Sequence, residues 1–291
     1  MDFVKPAEVL QSMVDIGEHK TKMNRTQTLT SGDTVMSRGM VSIIGAGPGD
    51  PELITVKALK RIQAADVIMY DRLVTDELLA EVRVNALRIY CGKAPGLHSM
   101  SQEMIGRMLA SHAAEGKRVV RLKGGDPFIF GRGGEEALVL AESGAPYEII
   151  PGITSAVGAS ASSLIPLTHR GVASSFACVT GTGSDGCIST VRWDLLAHSV
   201  DTLVIYMGIS QLPLIQQELF RHGKAGNTPA ALIERGTTSE ERIVTGTLAE
   251  LQTLAAVHRI CNPALIIIGE SVLIREQLLQ MQRAASASMT G

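Results

Sequence analysis

The sequence lacks most of the features that would point to a metal, a membrane or a nucleic acid. Its four cysteines, Cys91, Cys178, Cys187 and Cys261, are scattered over 291 residues and form no CxxC pair. Such thiols are typical of a reducing compartment and offer no zinc-ligand spacing. No apolar run reaches the roughly 20 residues that a spanning helix needs, and the net charge of −2 gives no general affinity for nucleic acid. We therefore expect a cytoplasmic protein with no metal site, no membrane segment and no nucleic-acid partner.

Several common catalytic motifs are absent as well. The chain has no GxSxG nucleophile elbow and no GxxxxGK[ST] phosphate loop, so hydrolase and nucleotidase functions lack support. The segment from Gly45 to Asp50 begins like a dinucleotide fingerprint, but Asp50 stands where glycine or alanine is needed. A nucleotide-dependent oxidoreductase is therefore a weak alternative that NAD(P) binding would reveal. A binding protein without catalytic activity is the other alternative.

The composition indicates layered helices and sheets. The chain is 45% hydrophobic with only 3% aromatic residues, and it contains 29 glycines. Its length is too great for one small core and suits two domains. Residues 1–38 are polar with little periodicity and lack the apolar core of a signal peptide. We predict a flexible N-terminal extension over 1–38 and α/β domains over 39–152 and 153–291, with the active-site cleft between the two domains.

Strand patterns alternate with helical patterns along both predicted domains. This alternation predicts a largely parallel sheet in the first domain, with its ligand-binding edge at the carboxyl ends of the strands. Punctuating turns follow the strands of the second domain at Gly181, Met207-Gly208, Arg235-Gly236-Thr237 and Gly269-Glu270. The strands are predicted at residues 40–44, 66–70, 87–90, 119–123 and 147–150, and then at 175–180, 202–207, 229–234, 242–245 (an edge strand) and 264–268.

The segment over 119–136 is the most informative stretch of the first domain. An apolar strand breaks at Gly124 and Gly125, where a ligand can approach the main chain closely. Pro127 prevents a helix from continuing through this point. A helix resumes only after Gly133-Gly134, with acidic residues in its first turn. A strand that ends in an open glycine turn before a helix is where α/β proteins bind small ligands.

The residues at these strand ends suggest two kinds of ligand. Glycine-rich turns supply backbone donors, and Ile129, Met207 and Ala231 offer apolar contact to a base, so a ligand with amino-acid and nucleoside portions fits. Arg72, Arg132 and Arg170 stand in loops or at strand ends. Because arginine forms two-pronged bonds to carboxylate or phosphate, three arginines that converge would hold a polyanionic substrate. Three unrelated surface arginines are the alternative.

A few titratable residues at the same positions are candidates for proton transfer. Asp71 and Lys93 follow the second and third strands, with Arg132 and Glu135 as auxiliaries. For Asp71, pairing with a neighbour such as Arg72 is an equally good interpretation. His169 either bonds the substrate or completes a turn.

With these motifs in view, the chain resembles the S-adenosylmethionine-dependent tetrapyrrole methyltransferase family, and within it the branch that methylates uroporphyrinogen III. The resemblance runs in order over residues 40–280 and is far more specific than a single glycine motif. The matching segments are 41–51 (VSIIGAGPGDP), 71–74 (DRLV), 120–136 (VRLKGGDPFIFGRGGEE), 151–155 (PGITS), 165–171 (IPLTHRG), 206–208 (YMG) and 262–264 (NPA).

The resemblance implies a tetrapyrrole methyltransferase fold, a homodimer, and S-adenosylmethionine bound between the two domains. It implies Asp71 and Lys93 as the acid/base pair, with Arg132 as a further catalytic candidate. Substrate contacts fall on Arg72, Arg132, Glu135, His169, Arg170 and Met207. Cofactor contacts fall on Pro48, Gly124, Gly125, Asp126, Ile129, Thr154, Ser155, Met207, Ala231, Gly236, Pro263 and Ala264.

The implied reaction is the methylation of uroporphyrinogen III on two pyrrole rings to precorrin-2, through precorrin-1, with S-adenosylhomocysteine as the other product. Precorrin-2 leads to siroheme, cobalamin or haem d1. The chain lacks the dehydrogenase and ferrochelatase module of bifunctional siroheme synthases, so a monofunctional enzyme is expected. The nearest alternative is a related enzyme that acts on a later precorrin.

Overall fold

A computed structural model describes residues 39–92, 100–183 and 186–289. The predicted extension over 1–38 and the candidate Lys93 lie outside the described residues. The chain divides into two compact units. Of the described residues, the first unit contains those up to Ala46 and those within Ile54–Gly152, and the second contains Gly47–Leu53 and those within Ile153–Gly291. The short segment Gly47–Leu53 thus belongs to the second unit although most of the first unit follows it in sequence.

The first unit is built on a five-stranded parallel sheet, as the sequence predicted for this half. Its strand order is β3-β2-β4-β1-β5, and every neighbouring pair is parallel. β1, β2 and β4 are buried along their whole length, as expected for central strands covered on both faces. The strands are β1 Val41–Gly45, β2 Val67–Tyr70, β3 Leu87–Tyr90, β4 Val119–Lys123 and β5 Tyr147–Ile150.

Helices of the first unit connect these strands, and hydroxyl side chains cap two of them. Thr55 accepts a hydrogen bond from the backbone N–H of Ala58 at the start of α1, and Ser101 accepts one from Met104 at the start of α3. Such caps satisfy backbone donors that the first turn leaves without partners. The helices are α1 Val56–Ala64, α2 Asp76–Ala80, α3 Gln102–Ala114 and α4 Gly133–Glu142.

The second unit is built on a mixed five-stranded sheet of order β6-β7-β10-β8-β9. β6 and β7 are parallel, whereas β10 runs antiparallel to both β7 and β8, and β9 is an antiparallel edge strand beside β8. The elements are β6 Phe176–Thr180, β7 Thr202–Tyr206, β8 Pro229–Glu234, β9 Arg242–Thr247, β10 Ala264–Ile268, α5 Ser155–Ser162, α6 Trp193–Ser199, α7 Leu212–Arg221, α8 Leu251–Val257 and α9 Val272–Met289.

The direction of β10 corrects one expectation from the sequence. Ala264 pairs with Glu234 at the end of β8, and Ile268 pairs with Ala230 near its beginning. The turn at Gly269-Glu270 therefore lies at the opposite edge from the turns after β6, β7 and β8. The amino end of β10, which follows Asn262 and Pro263, lies at the same edge as the turns after β6, β7 and β8.

Candidate active site

Asp71 lies directly after β2, at the carboxyl edge of the first sheet. Its side chain is 27% exposed, and its Oδ1 accepts a hydrogen bond of 3.0 Å from the backbone N–H of Leu73. Arg72, beside it, is exposed to solvent. The glycine turn that follows β4 comes against the same loop, since a Cβ added to Gly124 would lie 2.6 Å from Cβ of Leu73. The first sheet therefore places three predicted residues, Asp71, Arg72 and Gly124, at one edge.

The turn after β4 is held by backbone contacts that exclude side chains. Gly125 has a φ of +66°, in the region that favours glycine. A Cβ on Gly45 would lie 2.5 Å from the Gly125 carbonyl oxygen and from the Gly152 nitrogen. Asp126 fixes the turn further, since its Oδ2 accepts from Gly152 at 3.1 Å and its Oδ1 from Phe128 at 2.8 Å. The turn is thus a corner in which backbone packs directly against backbone, with no room for a side chain at Gly45 or Gly152.

The segment after this corner leaves apolar side chains at the surface and holds two residues in an unfavourable backbone region. Phe128, Ile129 and Phe130 are all exposed, including the predicted cofactor contact Ile129. Phe130 and Arg132 have φ values of +52° and +59°, which non-glycine residues rarely adopt. Backbone strain of this kind is concentrated at ligand sites in proteins.

Arg132 and Glu135 are paired with each other in this structure. Nε of Arg132 donates to Oε1 of Glu135 at 2.9 Å, and Nη2 donates to Oε2 at 2.7 Å. These hydrogen bonds raise the pKa of the Arg132 guanidinium and lower the pKa of the Glu135 carboxyl. Both side chains are more than half exposed. A guanidinium whose pKa is raised is suited to binding an anion and poorly suited to accepting a proton.

A buried cluster of charges lies behind this edge, and the sequence analysis did not identify it. Arg121 and Lys123 of β4 are only 2% and 3% exposed, and Glu136 of α4 is 0% exposed. Oε1 of Glu136 accepts from Nε of Arg121 at 3.0 Å and from Nζ of Lys123 at 2.9 Å. Nη2 of Arg121 also lies 3.7 Å from Oδ2 of Asp71. The predicted base is therefore connected to a charged network inside the first unit.

The electrostatics of the cluster follow from its burial. Burial disfavours the charged form of Arg121, but the neighbouring Glu136 and Asp71 carboxylates outweigh it, so the pKa of the guanidinium is raised. Burial and the charge of Arg121 lower the pKa of the Lys123 ammonium. Burial raises the pKa of the Cys91 thiol to about 11, which keeps this sulfur protonated. One signal could have revealed the cluster, since two cations alternate on one face of an otherwise apolar strand.

The carboxyl edge of the second sheet is organised around Tyr206. Its hydroxyl lies 2.6 Å from Oγ1 of Thr154 and accepts a hydrogen bond of 2.8 Å from the backbone N–H of Ala156. Tyr206 therefore caps the first turn of α5, where the predicted Thr154 and Ser155 are located. Met207 follows it, 44% exposed and with a φ of +51°. The predicted Thr154, Ser155 and Met207 thus lie at one edge of this sheet.

The turn after β8 completes the same edge. Gly236 packs so closely on α5 that an added Cβ would overlap the side chain of Ala159. Oγ1 of Thr237 accepts a hydrogen bond of 3.0 Å from the backbone N–H of Asp50. This bond fixes the segment Gly47–Leu53 on the second unit, and with it Pro48, which lies against Gly158 of α5. The predicted Pro48 and Gly236 are therefore both positioned on α5.

The remaining predicted residues of the second unit divide into three cases. Pro263 is exposed and Ala264 half-buried at the amino end of β10, on the functional edge. Ala231 is 0% exposed in the middle of β8, so its side chain lies in the core of the second unit, and its predicted contact with the cofactor stays a prediction. His169 and Arg170 form an exposed turn closed by backbone hydrogen bonds of 2.8 and 2.9 Å between His169 and Ala173.

Within the described parts of the chain, no group of three His, Cys, Asp or Glu side chains could hold a metal ion. None of the helices described there is long and apolar enough to cross a bilayer. Each of the two α/β units has glycine or strained turns along the carboxyl ends of its strands, and sheet edges of this kind are where α/β proteins bind small ligands.

Comparison with known proteins identifies the family. Residues 40–252 match the model of the tetrapyrrole (corrin/porphyrin) methylases. A uroporphyrinogen-III C-methyltransferase of Priestia megaterium is 53% identical over 234 residues, covering 80% of this chain and 98% of that protein. The chain belongs to the tetrapyrrole methylase family, so the predicted membership in a methyltransferase family is confirmed.

Other relatives are longer than this chain. A siroheme synthase of Pseudomonas putida (strain W619) is 52% identical over 252 residues, which are 87% of this chain but 54% of that protein. The chain thus spans about half the length of several curated relatives it matches.

Solved structures share the fold. The uroporphyrin-III C-methyl transferase of Thermus thermophilus complexed with S-adenyl homocysteine is 42% identical with a TM-score of 0.70, covering 81% of this chain and 100% of that one. A cobalt precorrin-4 methyltransferase is 30% identical with a TM-score of 0.72, covering 80% of this chain and 95% of that one. These likenesses confirm the predicted α/β tetrapyrrole methyltransferase fold.

Proposed function

We propose that this chain is a uroporphyrinogen-III C-methyltransferase, which uses S-adenosylmethionine to methylate two pyrrole rings and yields precorrin-2 through precorrin-1. The observation that carries the proposal is the 53% identity to a uroporphyrinogen-III C-methyltransferase over 98% of that protein's length. The residues at the two sheet edges support it, because they offer what a methyl donor and a polyanionic ring require.

Residues at each edge have the properties that binding of the methyl donor requires. The corner at Gly124, Gly125 and Asp126 has no side chain at its closest point, so the main chain can come directly against the amino-acid portion of a ligand. Met207, exposed after β7, offers apolar surface to an adenine ring. Thr154 and Ser155 lie at the amino end of α5. S-adenosylmethionine would supply a methyl group on sulfonium, which a ring carbon takes while the electrons of the broken S–C bond stay on sulfur.

The arginines suit the other reactant. Uroporphyrinogen III carries eight carboxylates, and Arg72, Arg132 and Arg170 are all exposed to solvent. Arg132 forms a two-pronged ion pair with Glu135. The same geometry would let it bind a substrate carboxylate. Glu135 holds the guanidinium in a defined orientation until the substrate arrives. Holding two reactants at attack distance can contribute about 7–11 kcal/mol to lowering the barrier.

Asp71 is the base in this proposal. Alkylation leaves a positive charge on the ring system, and one proton must leave to neutralise it. A carboxylate at the sheet edge can take this proton, whereas the raised pKa of Arg132 argues against the arginine in that role. Lys93, the second member of the predicted pair, stays a prediction from the resemblance. His169, whose Nδ1 lies 3.0 Å from the Arg170 carbonyl oxygen, orients the turn that presents Arg170.

A methyltransferase acting on a later precorrin is the second candidate, favoured by the likeness to the cobalt precorrin-4 enzyme. The lower identity of that protein, 30%, makes uroporphyrinogen III the better assignment. We further propose a cytoplasmic homodimer that supplies siroheme, cobalamin or haem d1 synthesis.

Mass spectrometry of the products tests the proposal. Purified protein is incubated with S-adenosylmethionine and enzymatically made uroporphyrinogen III, and in parallel with methylated precorrins. The expected result is a dimethylated product from uroporphyrinogen III, with a rate reduced by about 10²–10⁴-fold in Asp71→Ala. Turnover of methylated precorrins only would favour the second candidate. No product from a folded protein that binds the methyl donor would refute both.

A further inference from the structure

The buried cluster behind Asp71 has an excess of positive charge. Arg121 and Lys123 share a single oxygen of Glu136, and all three residues are at most 3% exposed. With each group ionised, two cations face one anion inside the unit. Asp71, at 3.7 Å from Arg121, supplies the second negative charge. Together with Asp71, the cluster brings two acidic and two basic side chains into one group.

The guanidinium of Arg121 is fixed in direction by its other contacts. Its Nε donates to Glu136 at 3.0 Å, and its Nη1 donates to the carbonyl oxygens of Leu122 at 3.1 Å and Met69 at 3.4 Å. These bonds leave Nη2 pointing to the end of β2. A cation held this way does not follow a moving carboxylate, so it defines where the carboxylate rests.

The two oxygens of Asp71 therefore have different neighbours. Oδ1 is held by the backbone N–H of Leu73, and Oδ2 faces Nη2 of Arg121. A separation of 3.7 Å is longer than a hydrogen bond, so Arg121 attracts Oδ2 without occupying its lone pairs. Opposite charges at this distance attract each other, so the buried guanidinium favours one orientation of the Asp71 carboxylate.

We propose that Arg121, held by Glu136 and by the carbonyl oxygens of Leu122 and Met69, is the positioning residue that keeps the Asp71 carboxylate oriented to accept the proton released after methyl transfer. The inference rests on the proposed function, in which Asp71 is the base. Arg121 acts only through Asp71 and touches neither reactant. Removing it should slow the reaction only while the carboxylate at position 71 is present.

A double-mutant cycle in the full chain tests this dependence. Turnover is measured for wild type, Arg121→Met, Asp71→Asn and the double variant, together with the affinity for S-adenosylmethionine. Arg121→Lys keeps the charge, and Arg121→Gln replaces Arg121→Met if the latter does not fold. Arg118→Met is the matched control, since Arg118 precedes β4 and pairs with Asp66 at the other edge of the same sheet.

The expected results are a loss of kcat of about 10-fold or more in Arg121→Met, partial rescue in Arg121→Lys and unchanged affinity for the methyl donor. In the Asp71→Asn background, Arg121→Met should cause no further loss, because coupled residues are not additive. Arg118→Met should leave kcat within about twofold of wild type. Equal fractional losses in both backgrounds, or no loss in Arg121→Met, would overturn the inference. A wild type without any turnover would instead overturn the proposed function, and full activity in Asp71→Asn would overturn the base assignment.

Discussion

The most informative side chains of this protein are those whose charge conflicts with their burial. Arg121, Lys123 and Glu136 are charged residues in the interior of the first unit. The sequence offers one cue to them, two cations that alternate on one face of an apolar strand, but it does not indicate their partner, which is 13 to 15 positions away in a different element. Asp71 became a candidate because it stands directly after a strand, and that local cue needs no partner.

Glu136 should be far more important for stability than its neighbour Glu135. Glu136→Gln leaves two buried cations without their shared anion, and breaking a buried charge pair typically costs about 3–5 kcal/mol. Glu135→Gln breaks only an exposed pair with Arg132, which is worth about 0–1 kcal/mol. Urea unfolding of both variants gives the comparison. Equal, small losses for both would mean that the buried cluster is not ionised in the folded protein.

At the scale of elements, the sequence predicted where the strands lie but not the direction in which each strand runs in its sheet. Continuous runs of β-branched and aliphatic residues predicted all ten strands of the described chain close to where they lie. The sequence has no local signal for the direction of β10, because the same apolar run is compatible with parallel and with antiparallel pairing. The turn at Gly269-Glu270 was therefore expected at the functional edge, and it lies at the other one.

The glycine corner after β4 should tolerate no side chain beneath it. In Gly45→Ala the new Cβ would lie 2.5 Å from backbone atoms of Gly125 and Gly152, and such overpacking costs about 1–3 kcal/mol. Gly134→Ala is the matched control, since a Cβ there meets nothing within 4 Å and alanine favours a helix by about 0.5–1 kcal/mol. Thermal unfolding and isothermal titration with S-adenosylmethionine should show that Gly45→Ala loses both stability and affinity. If Gly45→Ala kept or increased the stability and the affinity, the backbone around the corner would accommodate a methyl group without strain.

Glu148 of β5 forms hydrogen bonds or ion pairs with residues of β1 and α1. The free energy of unfolding should therefore depend on pH in the acid range. Burial opposes the ionisation of Glu148, but hydrogen bonds from Arg61, Lys57 and Ser42 outweigh burial and lower the carboxyl pKa from 4.5 to about 2. Since the folded-state pKa is the lower one, the stabilisation is complete above about pH 4.5 and is lost as the pH falls toward 2, up to about 3 kcal/mol.

Urea unfolding at a series of pH values checks this acid dependence. Glu148→Gln should flatten the decline between pH 4.5 and 2, whereas Glu142→Gln, which removes an exposed carboxyl at the end of α4, should preserve it. Identical pH dependence in wild type and Glu148→Gln would show that Glu148 does not contribute this stability.

At the scale of the whole molecule, the order of short motifs predicted the family correctly. Segments such as 120–136 and 165–171 are long enough to be specific, and the family model covers residues 40–252. The assignment of Gly47–Leu53 to the second unit was beyond sequence reasoning, because it depends on contacts such as the bond between Asp50 and Thr237. Those two residues are 187 positions apart, and no local pattern joins them.

Transfer of a carbon-13-labelled methyl group tests the central claim most directly. The chain is incubated with S-adenosylmethionine labelled in the methyl group and with uroporphyrinogen III, and the product is analysed by carbon NMR. The account predicts two labelled methyl groups bonded to ring carbons. Label found in methyl esters of the eight carboxylates, or no label in the tetrapyrrole, would contradict it.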